Sequence, residues 1–459
     1  MLLCRLRDLV ITAFVDDITV LVASESHEEN NKALKMLYTL LIEFASPNGT
    51  SFGADKTQIM HLCKARSAKP FLAMPGIEGL PSKAETSIKI LGVLLDYRLT
   101  WIEHVAHILA KVRTKMWHLL RVSGSTWGPS LLELRRFYLT CIRPVFAYAC
   151  ALWYVVTTGE VQCRWSMNKS LFKQLETEQS QCLKQISGAF QRTSGDMLCK
   201  ELFVEKLTVY LARRAHTYRA KNLGTPEGQQ LRRSWRHLRP GLTTEALAKH
   251  PYKVVYDEAE TKVRNEALRK LESEFQMQEP FDDVQKEKRL NKLIKFFALA
   301  ISTRRMVEIW DHFLRTRSTL HLLFNQHPPV LVGGWGAHNL VCYKGLSKAQ
   351  STILLHCRTG IDGLNASLHS MKLSDTYKCP CGRANAVHNA EHLFMHCERL
   401  TTPREHLKKA MPVFSFYKLV THHPKIASNF AIRYFGTNQF MWTAKYMPNP
   451  SFGNLAEKD

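Results

Sequence analysis

Two adjacent carboxylates, Asp16 and Asp17, lie between two apolar runs, residues 10–15 and 18–23. Two β-branched runs separated by a two-residue acidic turn predict a tight β-hairpin, whose tip would hold both charges within a few ångströms. Two like charges at so short a distance repel each other unless a cation neutralises them, and carboxylate oxygens are ligands that Mg²⁺ prefers. Two such ions can stabilise the attacking and leaving oxygens of a phosphoryl transfer. As a bare dipeptide, Asp-Asp is also ordinary turn chemistry.

A second group of metal-ligating residue types lies near the C-terminus and consists of Cys379, Cys381, His392 and Cys397. Thiolates and an imidazole at short separations fit a tetrahedral Zn²⁺ site, and Gly382 permits the tight turn that would bring the first two thiolates together. The spacing alone leaves the histidine open, because His388, His392 and His396 are four residues apart and can share one helical face. The alternative is a set of buried core cysteines.

The segments around the acidic pair carry a resemblance to a known family. The segment Phe14-Val15-Asp16-Asp17 resembles the aromatic-x-Asp-Asp box of reverse transcriptases, and the following segments come in the order expected of non-LTR retrotransposon polymerases. Residues 51–60 are similar to the segment whose lysine, here Lys56, lies near the incoming nucleotide. Residues 88–96 are similar to the strand pair called the primer grip, which includes Leu91 and Gly92.

Beyond this point the hydrophobic pattern changes from period two to period 3.6. A helix with Val105, Ile108 and Val112 on its apolar face is predicted, beside a basic stripe that also runs along it. The stripe consists of His104, His107, Lys111, Lys115 and His118. By resemblance to the thumb of fungal non-LTR elements, Lys111, Lys115 and Arg121 would follow the phosphate backbone of the primer–template duplex. The alternative is a solvated charged face on a core helix.

A further helix is predicted to start near Pro129-Ser130 with Ser130 as its N-cap, and Pro144 should bend or end it. The sequence 224–228 breaks the helical pattern, and we predict a domain boundary there. Two charged helices are predicted at about 256–276 and 284–317, as a basic connector or as a solvated bundle.

The C-terminal group also carries a family resemblance. Residues 354–360, 364–365 and 368–369 resemble the segment that introduces the Cys-Cys-His-Cys knuckle of the same fungal elements. The resemblance implies Cys379, Cys381, His392 and Cys397 as structural zinc ligands, with His396 in reserve. The knuckle would hold the element's RNA or its target DNA, and the basic residues around it are Arg383, Arg399, Arg404, Lys408 and Lys409.

The resemblance implies an α+β fold: an incomplete reverse-transcriptase palm, a helical thumb and connector, and a small zinc-stabilised C-terminal segment. The expected parts are 1–97 (partial palm), 98–223 (thumb), 224–345 (connector), 346–410 (zinc knuckle) and 411–459 (C-terminal tail). Polymerases of this family use a third carboxylate on a strand upstream of the hairpin, and only fifteen residues precede Asp16. We therefore expect the 3′ portion of a polymerase frame, with an incomplete Mg²⁺ site, that does not polymerise alone.

The composition agrees with a protein that handles nucleic acid. Among 459 residues, 63 Lys and Arg face 40 Asp and Glu, giving a formal net charge of +23, so a polyanionic partner is expected. The expected partners are RNA and DNA, with nucleotides bound only if the palm is completed. The 12 irregularly spaced cysteines favour a reducing compartment, and no uncharged run is long enough to cross a membrane. A soluble nuclear or cytoplasmic ribonucleoprotein is expected. The second hypothesis is a non-catalytic zinc protein that binds RNA or DNA.

Overall fold

The computed structural model describes residues 8–62, 69–78, 80, 82–156, 166–275, 282–316, 328–409, 411 and 414–436. They fall into two compact units, of which the first holds the residues up to Ala106 together with Ser166 and Met167, and the second holds the rest. These units are coarser than the five predicted parts, which stay predictions. Most of the predicted tail, 437–459, lies outside the described residues.

The first unit begins with an antiparallel hairpin of strands β1 (Asp8–Phe14) and β2 (Asp17–Ala23). Phe14 pairs with Asp17, so the two-residue turn consists of Val15 and Asp16 and lies one residue earlier than predicted. This register pairs aliphatic and β-branched residues across the strands, which favours it over a shifted alignment. It forces Val15 to a φ of 57°, a left-handed conformation that strains a β-branched residue.

The hairpin forms a two-stranded sheet whose apolar side chains remain exposed. Val10, Ile11, Phe14 and Leu21 are all exposed, and Val15 at the tip is 91% exposed. Within the chain segments that the structure describes, no third strand joins this sheet. The palm identity expected for this region is therefore not established by the sheet itself.

The described residues that follow in the first unit include a long helix and a second hairpin. Helix α1 (His27–Ala45) is capped by the Ser26 hydroxyl, which accepts a hydrogen bond from the backbone N–H of Glu29. Strands β3 (Ser87–Ile90) and β4 (Val93–Asp96) pair antiparallel.

After β4, the Asp96 carboxylate accepts hydrogen bonds from the backbone N–H groups of Arg98, Thr100 and Trp101, at 2.8–3.0 Å. These contacts fix the turn that leads into helix α2 (Ile102–Leu120).

The second unit is helical in its described residues. After α2 come α3 (Leu131–Phe137), α4 (Arg143–Phe146), α5 (Cys150–Trp153), α6 (Lys169–Ser187), α7 (Gly195–Glu201), α8 (Leu207–Asn222), α9 (Pro226–Leu238), α10 (Thr244–Lys249), α11 (Pro251–Val255), α12 (Asn265–Phe275), α13 (Asp283–Thr316), α14 (Lys348–Thr359), α15 (Asn365–Ser370), α16 (Ala390–Met395), α17 (Thr401–Lys409), α18 (Phe416–His422) and α19 (Pro424–Phe435). Mostly helical structure with two small sheets agrees with the α+β class.

The start of α3 follows its predicted sequence signal. Ser130 and Glu133 form a reciprocal capping box, in which the Ser130 hydroxyl accepts the Glu133 backbone N–H and the Glu133 carboxylate accepts the Ser130 backbone N–H. A π-helical segment, Tyr138–Ile142, separates α3 from α4, and Pro144 lies in the first turn of α4. The helix is thus interrupted just before the proline, as expected.

The two charged helices predicted after residue 256 are α12, which a π-helical segment Ala259–Arg264 precedes, and α13. They pack with α8 around one apolar cluster that includes Ala220, Val263, Ala267 and Ile294. In the sequence break at 224–228, Gly224 and Thr225 separate α8 from α9, and residues 226–228 form the first turn of α9. The domain boundary predicted there stays a prediction.

Helix α14 is buried along most of its length, and several of its polar side chains are buried with partners. The Arg358 guanidinium pairs with the Glu201 carboxylate, which also accepts the Tyr343 hydroxyl at 2.6 Å. The Lys348 ammonium donates to the Ile186 carbonyl at 2.6 Å, near the end of α6. There Gly188, with a φ of 73°, approaches so closely that a Cβ would lie 2.7 Å from Thr352 Cγ2. A search of the described helices finds none long and apolar enough to span a membrane.

Candidate metal centre

Three cysteines and one histidine converge in the C-terminal part of the second unit. The Sγ atoms of Cys379, Cys381 and Cys397 and a ring nitrogen of His392 all lie within 4.8 Å of one another. The Cys381 Sγ and His392 Nε2 atoms are 3.5 Å apart. In a tetrahedral zinc site with Zn–S near 2.3 Å and Zn–N near 2.0 Å, ligand atoms are separated by about 3.5–3.8 Å. The four donors therefore fit one Zn²⁺ with small adjustments.

The local backbone brings the two N-terminal thiols together. The Cys379 backbone N–H donates to the Ala386 carbonyl at 2.8 Å, and a single antiparallel bridge pairs Lys378 with Val387. Gly382, with a φ of 85°, and Asn385, with a φ of 57°, turn the chain between these contacts. Left-handed conformations suit these two residue types, so the sequence specifies this turn.

The other two ligands come from the start and end of a short helix. The Asn389 side-chain oxygen caps α16 by accepting the His392 backbone N–H at 2.8 Å. After the helix ends at Met395, the Cys397 backbone N–H returns to the His392 carbonyl at 2.8 Å. The five-residue spacing between His392 and Cys397 is accommodated because the helix stops between them.

The sulfur atoms receive hydrogen bonds that favour thiolates. The backbone N–H of Cys381 contacts the Cys379 sulfur, and that of Arg399 contacts the Cys397 sulfur. Hydrogen bonds from Cys379 and His392 lower the pKa of Cys397 to about 4, whereas sharing its proton with Cys397 raises the pKa of Cys379. A low thiol pKa is what metal ligation requires, because the thiolate is the binding form.

The two neighbouring histidines do not join the cluster. His388 is buried, its Nδ1 accepts the Asn365 backbone N–H at 3.2 Å, and burial lowers the pKa of its imidazole to about 4. His396 follows α16 and is exposed. The structure thus brings His392 to the thiols and leaves the reserve ligand outside.

Arg404 departs from its predicted place on the basic surface. Its guanidinium is buried, and it donates to the backbone carbonyls of Phe394, at 3.0 Å, and of Cys397. It therefore ties α17 to the loop that carries the last cysteine. Sequence reasoning missed this because a buried arginine that binds carbonyls has the same local pattern as an exposed one.

The acidic hairpin presents a different arrangement. Asp16 occupies the strained turn beside Val15, and Asp17 begins β2. Both are exposed, as is Lys56 on the turn of residues 53–57. In the described portions of the chain no cation, including Lys56, forms an ion pair with either carboxylate. The two carboxylates are oxygen donors at a single tip, which fits a hard divalent cation such as Mg²⁺.

The predicted primer-grip residues form the turn of the second hairpin. Leu91, with a φ of 45°, and Gly92, with a φ of 84°, join β3 to β4. Positive φ at both central positions is the geometry of a tight type I′ turn. The predicted strand pair is present, and the role of its turn stays a prediction.

Helix α2 and the residue that follows it carry the predicted duplex-binding residues. Lys111 and Lys115 in the helix and Arg121 just after it are exposed, but His104 does not belong to the basic stripe. Its side chain is buried, and its Nδ1 accepts the Leu94 backbone N–H at 3.3 Å, because a tertiary contact with β4 decides the position.

A feature missed in the sequence is the Arg121 guanidinium stacked 4.9 Å from the ring centroid of Trp117, a side chain that is 57% exposed. The four-residue spacing of an aromatic and a cation on one helix could have revealed it.

Comparisons with known proteins identify distant relatives of the chain. A segment of 212 residues, 46% of the chain, is 22% identical to a probable RNA-directed DNA polymerase from transposon BS of Drosophila melanogaster. A segment of 154 residues, 33% of the chain, is 26% identical to a probable RNA-directed DNA polymerase from transposon X-element of the same species.

The matched segments cover 22% and 16% of these relatives, so the chain spans about a fifth of their length. No family model and no solved structure matches the chain. Both relatives are named as probable RNA-directed DNA polymerases of transposons, and the chain is similar to each of them at low identity.

Proposed function

We propose that the chain is part of an RNA-directed DNA polymerase of a non-LTR retrotransposon. The observation that carries the proposal is its similarity to two transposon polymerases, over 46% and 33% of its length. The Phe14-Val15-Asp16-Asp17 hairpin supports it, because a strained, exposed tip that holds two carboxylates has a better explanation in metal binding than in stability.

In this proposal Asp16 and Asp17 hold Mg²⁺, which would neutralise charge on the reacting phosphate oxygens when bound. Lys56 contributes a positive charge near the incoming nucleotide. The turn of Leu91 and Gly92 contacts the primer. The proposed site is incomplete, because the family uses a third carboxylate, and we propose that these 459 residues do not extend a primer alone.

The exposed cations along α2 and just after its end position the primer–template duplex. Lys111, Lys115 and Arg121 contact phosphates, which fixes the register of the duplex without reading its sequence. The Trp117 ring beside Arg121 adds a surface on which a base or sugar can pack. The Cys379, Cys381, His392 and Cys397 cluster binds a structural Zn²⁺ that stabilises the C-terminal segment as a nucleic-acid-binding element.

The hairpin is tested by Mn²⁺ binding, measured by electron paramagnetic resonance on zinc-loaded protein. Asp16→Asn with Asp17→Asn should abolish one weak binding event. Asp55→Asn is the matched control, because it removes an exposed carboxylate from a nearby turn of the same unit. Equal Mn²⁺ binding by the double variant and the wild type would overturn the proposed magnesium ligands.

Primer extension tests the proposed inactivity. With an RNA template, a DNA primer and Mg²⁺, the chain should give no product above the background of the Asp16→Asn variant. Extension by the wild type that Asp16→Asn abolishes would contradict the proposal of an incomplete site, while supporting the polymerase itself.

A second candidate function is a non-catalytic zinc protein that binds RNA or DNA. The contrast between a buried, well-positioned Cys/His cluster and an exposed hairpin favours this candidate. It predicts unchanged nucleic-acid binding when both aspartates are replaced. Loss of binding in the Asp16→Asn, Asp17→Asn variant with Mg²⁺ present would reject it.

A further inference from the structure

The long helix α13 and helix α8 form a strongly basic surface. The sequence of α8, 207–222, contains no Asp or Glu, and neither does the 288–307 stretch of α13. The two helices pack antiparallel, because the Lys206 backbone N–H, just before α8, contacts Met306 Sδ at 3.3 Å while Ala220 packs in the cluster with Ile294. Two acid-free faces are thus placed side by side.

The cations on this surface crowd one another. Arg214, Tyr218 and Lys221 follow one face of α8 at helical spacing. Burial and the positive charges of Lys295 and Arg214 lower the pKa of Lys221. Lys292 is exposed one turn before Lys295 on α13. Among the residues placed by the structure, no carboxylate forms an ion pair with these two lysines, with Arg214 or with Lys221. Repulsion left uncompensated in this way is relieved when an anion binds.

Aromatic rings lie among these cations. Tyr218 is 60% exposed and Phe296 is 62% exposed, and both lie on the stretch where Lys221 meets Lys295. By contrast, the neighbouring Phe297 packs against the apolar cluster. Large exposed rings between uncompensated cations are what a single-stranded nucleic acid needs, because phosphates bind the cations and unpaired bases stack on the rings.

We infer that the α8–α13 basic face, defined by Arg214, Tyr218, Lys221, Lys292, Lys295 and Phe296, binds a single strand of nucleic acid. The inference rests on the proposed function and adds a site for an unpaired strand, separate from the α2 contacts with the duplex. Arg289 lies two turns before Phe296 on the same side of α13, but it is already paired with Glu274 at 2.7 Å, so we do not count it among the cations that await an anion.

The test uses the full zinc-loaded chain and a fluorescent single-stranded oligonucleotide of about 16 nucleotides. Binding is followed by anisotropy between about 50 and 200 mM salt. The variant Lys221→Gln, Lys292→Gln, Lys295→Gln should weaken binding by at least about tenfold at low salt. The slope of log affinity against log salt should fall by about 2, because each lost phosphate contact removes about 0.7.

Two further variants separate charge from stacking. Tyr218→Ala with Phe296→Ala should weaken single-strand binding by about tenfold at an unchanged salt slope, and should leave binding of a duplex unchanged. Arg269→Gln with Arg305→Gln is the control, because both cations are exposed and already paired, with Glu266 and Glu308. It should change affinity by less than about twofold. Circular dichroism confirms that each variant is folded.

The outcomes distinguish the two proposals. If the wild type binds and the triple lysine variant behaves like the control, the α8–α13 basic face is wrong while the proposed function stands. Equal loss of single-strand and duplex binding in the aromatic variant would also reject a site for unpaired bases. If the wild type binds neither nucleic acid, the nucleic-acid part of the proposed function fails as well.

Discussion

The acidic hairpin and the Cys/His cluster are both candidate metal sites, yet they differ in burial and in the contacts that hold their side chains. The cluster lies among buried residues, with backbone N–H groups directed at two of its sulfurs. The hairpin holds its two carboxylates on an exposed turn, beside a strained valine and two strands of exposed apolar residues.

This difference shows how many of the ligands of each metal site come from one short segment of the chain. A turn, a capped six-residue helix and a return of the chain suffice to bring four soft ligands together. Two adjacent carboxylates are brought together by one turn, but a hard divalent ion takes six or more oxygens, so other elements or water must complete the shell. The ligands of the Cys/His cluster can therefore be predicted from 19 residues of sequence, whereas the full ligand set of the acidic hairpin cannot be predicted from its own segment.

The largest expected effect concerns the cluster. The wild type should bind about one zinc ion per chain, and Cys397→Ser should lower the zinc affinity by about a hundredfold or more. The variant loses a residue that ligates the metal directly, and even the loss of a residue that only contacts a ligand lowers metal affinity about tenfold to a hundredfold. Zinc is measured by elemental analysis after dialysis against a weak chelator. Cys141→Ser, which alters an exposed cysteine elsewhere, should retain the metal. Equal zinc content in both variants would remove the contrast between the regions.

The second prediction concerns the contribution of one buried ion pair to the stability of the second unit. Arg358→Met should lower the free energy of unfolding by about 3–5 kcal/mol, because it leaves the Glu201 carboxylate buried without its partner. Urea unfolding followed by tryptophan fluorescence gives the value. Adding Glu201→Gln to the variant should recover part of the loss. A double variant as unstable as the single one would show that the carboxylate is not the cause.

A smaller effect depends on pH. Burial lowers the pKa of Lys348 to about 7, below its usual 10.5. Between these values the unfolded chain holds a proton that the folded chain has lost, so this lysine makes the free energy of unfolding rise with pH, by about 2 kcal/mol between pH 7 and about 9. Lys348→Met should lack this increment in urea titrations at both pH values. Parallel pH curves for wild type and variant would contradict the expected neutral amine.

The smallest effect concerns the hairpin. Val15→Gly should stabilise it by about 0.5–1 kcal/mol, because relief of a left-handed valine exceeds the entropy cost of glycine. Hydrogen exchange of the β1 amides reports the change. Thr12→Gly, in the middle of the strand, should instead increase exchange. Faster exchange in Val15→Gly would mean that the turn is not strained as described.

Local patterns predicted local structure well. The Ser130 cap, the first hairpin, α2 and the pair of charged helices follow from capping residues, turn signals and hydrophobic periodicity, since these depend on neighbours in the sequence. The second hairpin was expected from the family resemblance. The positions that differed are decided by tertiary contacts, which hydrophobic periodicity does not report. His104 is buried by its hydrogen bond to Leu94 of β4, and Arg404 is buried by its bonds to the Phe394 and Cys397 carbonyls.

At Gly188, the end of α6 packs too closely against α14 to leave room for a side chain. Because a Cβ at Gly188 would meet Thr352, and its φ of 73° already disfavours other residues, no substitution there is neutral in a folded protein. We therefore expect that any residue with a Cβ at this position would push the end of α6 away from α14, and that selection for a folded product would keep the glycine.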